Sequence, residues 1–349
     1  MILSRRNFIF TAGCVAGGAL AKPATGSAGV AEAPTLTLTG ADYVRLMAIA
    51  TGDVRPEKVR LTWVRGDRNE MLRRATDAPN VDGGESSMAQ HVMRLDRGDR
   101  SLVAIPIFPL RNFTARDLYM RKGASLTAGS LGGRRIGIYS WGASGAVWYR
   151  HFLRYLGHDT TKVIWIVGGT DGPAAVVMPD PPLPNVSAAP TGSSLSDLLL
   201  ADKIDAVYSP LPPQKFDAGR GPIVRAFPDF RTVEQKYYAE TRCFPPQHVI
   251  LLRRQSWDRD PSVARRLVDA FDKAETAFEA GQRYFPYNSP WQIETVEEAL
   301  RVMGADCYAH GLEKNRHVVD TFCQGAFQDG LTKRALRTDD FFADFLKAL

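Results

Sequence analysis

The sequence is poor in cysteine and has no cysteine pair at metal-binding or redox spacing. Four cysteines occur in 349 residues, and cleavage of a leader at Ala21 would leave Cys243, Cys307 and Cys323. An odd number without a C-x-x-C pair argues against a disulfide framework and against a zinc site. Cys307 and Cys323 are open to one bridge in an oxidising compartment, with free buried thiols as the equal alternative. The histidines and aspartates show no ligand spacing either, so we expect no metal and no cofactor.

Long apolar runs and basic clusters are also missing. No stretch of 18 uncharged apolar residues follows residue 33, which predicts a soluble mature chain without membrane insertion. The formal net charge is +6, and it falls to +4 once the charges of Arg5 and Arg6 are removed. No lysine or arginine run resembles a nucleic-acid-binding patch. The mild basic excess favours at most a small anionic ligand.

The first 33 residues have the composition of an export leader. A Ser-Arg-Arg-Asn-Phe-Ile motif at residues 4–9 precedes an uncharged run rich in Gly and Ala that ends at Ala21. The run is too short and too rich in glycine to span a bilayer stably. The paired arginines predict a twin-arginine signal peptide over residues 1–21, a flexible leader over 22–33 and periplasmic localisation. An ordinary secretory signal is the alternative, and acylation of Cys14 is a minor one.

Strands and helices alternate along the chain, which predicts an α/β fold with parallel sheets. Strand patterns in the first series lie at residues 35–38, 59–64, 81–85 and 102–108. Those in the second lie at 135–139, 163–167 and 205–209, with an irregular excursion at 171–192. One more strand is predicted at 248–252, and everything beyond it reads as helical.

This order predicts two lobes that the chain enters, leaves and re-enters. We expect a first lobe over residues 34–121, a second over 122–239 and a return to the first over 240–349, which ends in a helical layer. Two connecting segments then make a hinge, and the cleft between the lobes closes on a ligand. Ligands of such sheets lie beyond the carboxyl ends of the strands, near helix N-termini.

Seven short motifs follow one another in a characteristic order. They are Val54-Arg55-Pro56-Glu57, Val81-Asp82-x-x-Glu85-Ser86-Ser87, Ala104-Ile105-Pro106-Ile107-Phe108-Pro109-x-Arg111-x-Phe113, Ala146-Val147-Trp148-x-Arg150, Leu195-Ser196-Asp197-Leu198-Leu199, Phe244-Pro245-x-x-His248-Val249 and Gly311-Leu312-Glu313-x-Asn315-Arg316.

Together these motifs resemble the 4,5-dihydroxyphthalate decarboxylase family, within the type II periplasmic-binding-protein superfamily. The resemblance covers nearly all of residues 35–345. It implies a two-lobed fold with a hinge and an interdomain cleft. It implies either removal of CO2 from a dihydroxylated aromatic dicarboxylate or ligand binding for uptake, since many look-alikes are known only as binding proteins. The export signal and the stretch at 171–192 depart from the enzyme.

Candidate site residues begin with Glu85, Ser86 and Ser87. They place a carboxylate and two hydroxyls at a predicted helix N-terminus, where free N–H groups suit an anion or a hydroxyl-bearing ligand. Plain capping by Ser86 is the alternative. Arg111 follows a strand at the predicted lobe crossing, where its guanidinium would grip a carboxylate. An ordinary surface arginine is the alternative there.

The other candidates are aromatic, hydroxyl and imidazole groups. Trp141 lies in a small-residue turn and is placed to stack on a ligand ring, and Ser144 is placed to cap the following helix. Trp148, one turn further, is a ligand candidate for which core packing is the stronger alternative. His248 opens a strand and would bind a carboxylate or move a proton. His248 and Glu85 are the candidate catalytic groups.

Two functions stay open on this basis. The favoured one is an exported solute-binding protein that holds a small, anionic or aromatic carboxylate ligand for an ABC-type permease. The alternative is a carboxy-lyase of the 4,5-dihydroxyphthalate decarboxylase type, with Arg111 holding one carboxylate and His248 or Glu85 protonating the ring carbon.

Overall fold

The computed structural model describes residues 33–126, 131–174, 176–218, 220–284 and 289–349. The predicted signal peptide and leader, apart from residue 33, lie outside the described residues. Within the described ranges, no helix has both the length and the apolar character needed to cross a membrane.

Eleven strands and twelve α-helices form the described chain. The strands are β1 (Thr35–Ala41), β2 (Arg60–Gly66), β3 (Gly83–Ser87), β4 (Leu102–Ile105), β5 (Leu118–Arg121), β6 (Arg135–Ile138), β7 (Ile164–Val167), β8 (Val186–Ala188), β9 (Ala206–Tyr208), β10 (Ile223–Arg225) and β11 (His248–Arg253). The helices are α1 (Met47–Thr51), α2 (Arg68–Asp77), α3 (Met88–Asp96), α4 (Ser144–Tyr155), α5 (Leu195–Leu200), α6 (Phe230–Thr241), α7 (Arg254–Arg259), α8 (Val263–Gln282), α9 (Gln292–Met303), α10 (Arg316–Gln328), α11 (Thr338–Phe341) and α12 (Ala343–Lys347). Two 3-10 turns lie at Val44–Leu46 and Ala115–Asp117.

The strands form two separate sheets, so the α/β fold with two lobes is confirmed. The first sheet has the order β2-β1-β3-β11-β4, and the second has the order β10-β5-β9-β6-β7-β8. We call each sheet with its helices a lobe. The chain crosses from the first sheet to the second after β4 and returns before β11. The chain thus leaves the first sheet after β4 and adds one more strand to it with β11.

The prediction of parallel sheets was wrong at the crossings. β11 runs antiparallel to β3 and β4, and β5 runs antiparallel to β9 and β10. His248, the first residue of β11, pairs with Ser87, the last residue of β3. The returning chain thus arrives at the carboxyl end of β3, so it enters the sheet antiparallel to β3. Alternation of strands and helices carries no information on this direction.

Helix α4 lies between the two lobes and contributes to both hydrophobic cores. Val147, Trp148 and Phe152 pack in the core of the first lobe, which also includes the C-terminal helices. Tyr149 and Leu153, on the opposite side of the helix, pack in the core of the second lobe. The residues of α4 are buried on both faces because the helix has an apolar partner on each side.

Several local predictions need correction. The strand predicted at 81–85 is shifted to Gly83–Ser87, because these are the residues that pair with His248–Leu252 of β11. The irregular stretch 171–192 contains β8, which pairs with β7. Helix α6 and strands β5 and β10 were not predicted. All three cysteines of the described residues are free thiols, so Cys307 and Cys323 form no bridge.

Candidate functional site

A pocket of about 230 Å³ lies between the two lobes, at the carboxyl ends of β3 and β6. The first lobe lines it with residues from α2, the β3–α3 junction and the start of β11, among them Ser87 and His248. The second lobe supplies residues 139–145, except Trp141, and Pro210. Larger depressions of about 580 and 470 Å³ lie along the C-terminal helices, away from these strand ends. The pocket between the lobes matches the place where ligands of such sheets bind.

Glu85 is buried inside β3 and is surrounded by hydrogen-bond donors. Its Oε2 accepts from the backbone N–H of Ala41 at 2.7 Å, and its Oε1 accepts from the hydroxyl of Tyr43 at 2.6 Å. Nδ1 of His248 lies 2.5 Å from the same Oε1. Burial alone would raise the pKa of Glu85, but these donors and the charge of His248 outweigh it and hold the pKa below its usual range. Glu85 is therefore an ionised carboxylate at neutral pH.

His248 connects the buried Glu85 carboxylate to the pocket. Its imidazole lines the pocket, and its Nδ1 is engaged by the Glu85 carboxylate. The partner of one ring nitrogen fixes the orientation of the ring and the role of the other nitrogen. Nε2 is thus the atom that His248 has left for a ligand. An imidazole held in this way can pass a proton to a ligand, or take one from it, at Nε2.

Two serines connect the lobes beside this pair. The hydroxyls of Ser87 and Ser144 lie 2.8 Å apart, and Ser144 Oγ accepts from the backbone N–H of Ala89 at 3.0 Å. Ser144 was expected to cap its own helix. Instead Ala143 is the N-cap of α4, and the Ser144 hydroxyl serves the first turn of α3 in the other lobe. Ser87, and not Ser86, caps α3 through the N–H of Gln90.

Arg68 is a pocket residue that the sequence did not single out. It is the first residue of α2, and its half-buried side chain lines the pocket. No ion pair of Arg68 occurs among the described residues, although its charge acts on Tyr43 and Tyr139. A cation in the first turn of a helix is disfavoured by the helix dipole. An arginine at the start of a predicted helix was therefore the signal in the sequence that could have pointed to a binding residue.

The sequence and the fold were compared with those of known proteins. No family model matches the chain. The chain is similar to 4,5-dihydroxyphthalate decarboxylase of Comamonas testosteroni, with 27% identity over 317 residues, which are 88% of this chain and 96% of that protein. It is similar to the protein of the same name from Pseudomonas putida, with 27% identity over 208 residues, which are 58% of this chain and 81% of that protein. The predicted resemblance is confirmed.

The fold has a solved counterpart. The structure is similar to that of the periplasmic aliphatic sulphonate binding protein of Escherichia coli, with a TM-score of 0.51 and 13% sequence identity. The likeness covers 90% of this chain and 97% of that one. It confirms the two-lobed periplasmic-binding-protein fold. At this identity it carries no information on the ligand.

Arg111 does not line the pocket between the lobes. Its buried guanidinium donates to the carbonyls of Phe244 and Ala309 and to the side chain of Asn315, and it packs against the ring of Phe108. The segment after β4 turns this side chain towards the C-terminal helices. In the structure Arg111 therefore holds the crossing segment against the C-terminal layer, apart from Glu85 and His248.

Both candidate tryptophans are buried and serve as packing residues. The indole N–H of Trp141 donates to the carbonyl of Asp329 at 3.1 Å, and the guanidinium of Arg150 lies 3.9 Å from its ring centroid. The indole N–H of Trp148 donates to the carbonyl of Pro246 at 2.6 Å. Neither ring lines the pocket. Ser86 is buried in β3 and is not a pocket residue either.

Proposed function

We propose that the pocket between the lobes binds a small aromatic carboxylate. Arg68 supplies a cation that has no counter-ion among the described residues. The hydroxyls of Ser87 and Tyr139 and the imidazole of His248 supply polar contacts. Tyr139 also offers an aromatic ring at the pocket wall. A pocket that combines one cation, several donors and a ring suits an anionic aromatic ligand.

We further propose that the bound ligand loses CO2. The observation that carries this step is the Glu85–His248 pair, because binding alone needs no buried, ionised carboxylate behind an imidazole that lines the pocket. The similarity to 4,5-dihydroxyphthalate decarboxylases over 88% of the chain supports the same reaction. The substrate class that follows is a hydroxylated aromatic carboxylate.

The reaction needs one proton and no redox change. Nε2 of protonated His248 donates its proton to the ring carbon that bears the carboxylate. The carbon–carboxylate bond then breaks, its electron pair returns to the ring, and CO2 leaves. Water restores the proton on His248, while Glu85 holds the imidazole in place for each transfer. The sum is the exchange of a carboxylate for a hydrogen atom, with release of CO2.

Uptake through an ABC-type permease in the periplasm is the second candidate. The two-lobed fold and the predicted export signal favour it. Delivery of a ligand to a permease requires the lobes to separate. Helix α4 packs in both cores, and Ser144 bonds to α3 across the pocket, so separation would break apolar and polar contacts together. This arrangement favours a pocket whose lobes stay together.

One experiment separates the two candidates. The purified full chain is incubated with 4,5-dihydroxyphthalate, CO2 and the aromatic product are quantified, and binding is measured by calorimetry. We expect CO2 release, with His248→Gln at least about 100-fold slower and its affinity within a few fold, because one proton-transfer group is worth about 10²–10⁴ in rate. His158→Gln, a histidine outside the pocket, is the matched control. Binding without CO2 release would leave uptake as the remaining candidate. If the chain neither binds the compound nor releases CO2, both candidates are refuted.

A further inference from the structure

We infer that Asp329 is a positioning residue of the pocket and that it acts through Trp141. Asp329 follows α10 in the C-terminal layer of the first lobe, whereas Trp141 lies in the turn between β6 and α4. Residues 139–145, except Trp141, make up most of the second-lobe wall of the pocket. The ligand that this wall holds is the aromatic carboxylate of the proposed function, on which the inference rests.

Trp141 is the one large side chain in the turn. Its neighbours Ser140, Gly142 and Ala143 are small, so the turn buries little apolar surface of its own. The indole is 3% exposed and meets the ring of Trp165 in the core of the second lobe, with 5.9 Å between the ring centroids. The position of the turn therefore depends on where this one ring is held.

All three polar groups of Trp141 have partners outside the turn. The backbone N–H donates to the carbonyl of Val177 at 2.9 Å, and the backbone carbonyl accepts from the guanidinium of Arg150 at 3.0 Å. The indole N–H donates to the carbonyl of Asp329 at 3.1 Å. The last of these contacts comes from the C-terminal layer, so it ties the pocket wall of the second lobe to the first lobe.

The carboxylate of Asp329 holds the same turn by a second route. It pairs with Nε of Arg150 at 2.7 Å and with Nη1 of Arg154 at 2.8 Å, one helical turn apart on α4. The Arg150 guanidinium lies 3.9 Å from the centroid of the Trp141 ring. Arg150 is 1% exposed and Asp329 is 4% exposed, and removing one partner of such a buried pair leaves the other charge uncompensated. Asp329 thus holds the indole through its carbonyl and the cation over the indole through its carboxylate.

This arrangement predicts an effect on binding that is separate from proton transfer. The wall belongs to the second lobe, whereas Glu85 and His248 lie on β3 and β11 of the first. A released turn presents its groups in several positions, and fixing them again on binding costs affinity. The proton-transfer pair keeps its own contacts. Loss of the Asp329 contacts should therefore raise KM and leave kcat nearly unchanged.

Two variants of the full chain and two matched controls test the positioning role. Trp141→Phe removes the indole N–H and keeps an aromatic ring, and Asp329→Asn removes the charge and keeps the shape. Trp165→Phe is the control for the first, because its indole N–H donates to a backbone carbonyl at 3.0 Å and its ring lies in the same core. Asp205→Asn is the control for the second, because Asp205 pairs with Arg135 at 3.0 Å at the opposite end of β6.

The rate of CO2 release from 4,5-dihydroxyphthalate is measured at a temperature where circular dichroism shows the variants to be folded. We expect Trp141→Phe to raise KM about fivefold, as the loss of one hydrogen bond implies, and Asp329→Asn to raise it about tenfold or more. In both, kcat should stay within about threefold, and the controls should match the wild type. A KM for Trp141→Phe no higher than that for Trp165→Phe, or a fall in kcat alone, would overturn the inference. If Asp329→Asn does not fold, Trp141→Phe decides, because it leaves the buried ion pairs in place.

Hydrogen exchange of the peptide that covers residues 139–145 gives a readout that needs no ligand. We expect exchange of these amides to become about tenfold faster in Trp141→Phe and Asp329→Asn, and to stay unchanged in the controls. Faster exchange without binding or turnover of the aromatic carboxylate would leave the positioning role in place and refute the proposed function. Unchanged exchange would overturn the positioning role, whether or not CO2 is released.

Discussion

Two regions of the first lobe each bring together an arginine, a glutamate and a histidine. The pocket set is Arg68, Glu85 and His248, and the rear set is Arg111, Glu275 and His310. The rear set lies beneath the C-terminal helices. The residue types are the same, so the difference between the sets comes from their surroundings.

The two glutamates differ in the number of donors around them. Glu85 accepts from Ala41, Tyr43 and His248, and its pKa is lowered. Glu275 is buried as well, but its Oε2 has no partner within the described residues, and Arg45 reaches only the other oxygen. Burial therefore dominates and raises the pKa of Glu275 to about 7. Burial by itself does not decide the charge of a carboxylate; the donors do.

The histidines and arginines differ in what they leave for a ligand. Nδ1 of His310 accepts from the backbone N–H of Phe108 at 3.2 Å, and burial lowers the pKa of this ring far below its usual value, which keeps it neutral. Arg111 donates to three protein acceptors. Arg68 and His248, by contrast, line the pocket between the lobes, and His248 has Nε2 left for a ligand. Chemistry is thus expected in the pocket set and packing in the rear set.

The largest expected effect is on turnover. Glu85→Gln keeps the shape of the side chain and removes the carboxylate that orients the imidazole of His248, so we expect the rate of CO2 release to fall about 100-fold or more. Glu275→Gln makes the same change in the rear set and should leave the rate within about twofold. Product formation by both purified variants measures this, with circular dichroism to verify folding. Similar losses in the two variants would remove the distinction between the sets.

The next effect is on stability. Arg111→Met leaves carbonyls and Asn315 without their buried donor, and we expect it to lower the free energy of unfolding by about 3 kcal/mol. Arg68→Met removes a half-buried cation that forms no ion pair within the described part of the chain. It should change stability by no more than about 0.5 kcal/mol, while it weakens ligand binding about tenfold. Urea unfolding and calorimetry measure the two effects. If Arg68→Met destabilised the protein more than Arg111→Met, and Arg111→Met weakened binding more, the two roles would have been assigned the wrong way round.

A smaller effect concerns pH. A carboxyl whose folded pKa is raised to about 7 binds its proton more tightly in the folded state, so the stability that Glu275 contributes falls as pH rises from about 4.5 to 7. We expect the loss to be about 2 kcal/mol, and Glu275→Gln should reduce the slope of stability against pH over this window. Urea unfolding at a series of pH values tests this. An unchanged slope would mean that Glu275 is ionised throughout.

The contribution of Glu85 to stability changes with pH in the opposite direction. Because its folded pKa is lowered, its contribution to stability is present above the usual carboxyl pKa and is lost as pH falls below it. Glu85→Gln should therefore flatten the acid side of the same curve. A slope that Glu85→Gln changes only between pH 5 and 7 would contradict the assignment.

The smallest effect is expected from one donor to Glu85. Tyr43→Phe removes a buried hydrogen bond to the carboxylate and should cost about 1 kcal/mol in the free energy of unfolding. Tyr155→Phe removes a tyrosine–glutamate hydrogen bond of similar length, 2.5 Å to Glu240, at the surface, and should cost less than about 0.5 kcal/mol. Thermal and urea unfolding of the two variants compare them directly. Equal costs would show that burial adds nothing to the bond.

The sequence by itself determined the α/β class, the two-lobed fold and the resemblance to 4,5-dihydroxyphthalate decarboxylases. Periodicity and turn residues are local, so they predict α3, α4 and β11 to within a few residues. The motifs also contained both members of the Glu85–His248 pair. Arg68 was missed, although a cation in the first turn of a helix, which the helix dipole disfavours, was a signal present in the sequence.

The tertiary structure decided which of these side chains meet. Glu85 and His248 are 163 residues apart, and they pair because β11 aligns antiparallel to β3 with His248 opposite Ser87. A shift of one residue would turn the imidazole to the other face of the sheet. The same dependence on register and direction took Arg111 to the rear set and made Ser144 the partner of α3. These outcomes depend on contacts between distant segments, which the local patterns of a single sequence do not contain.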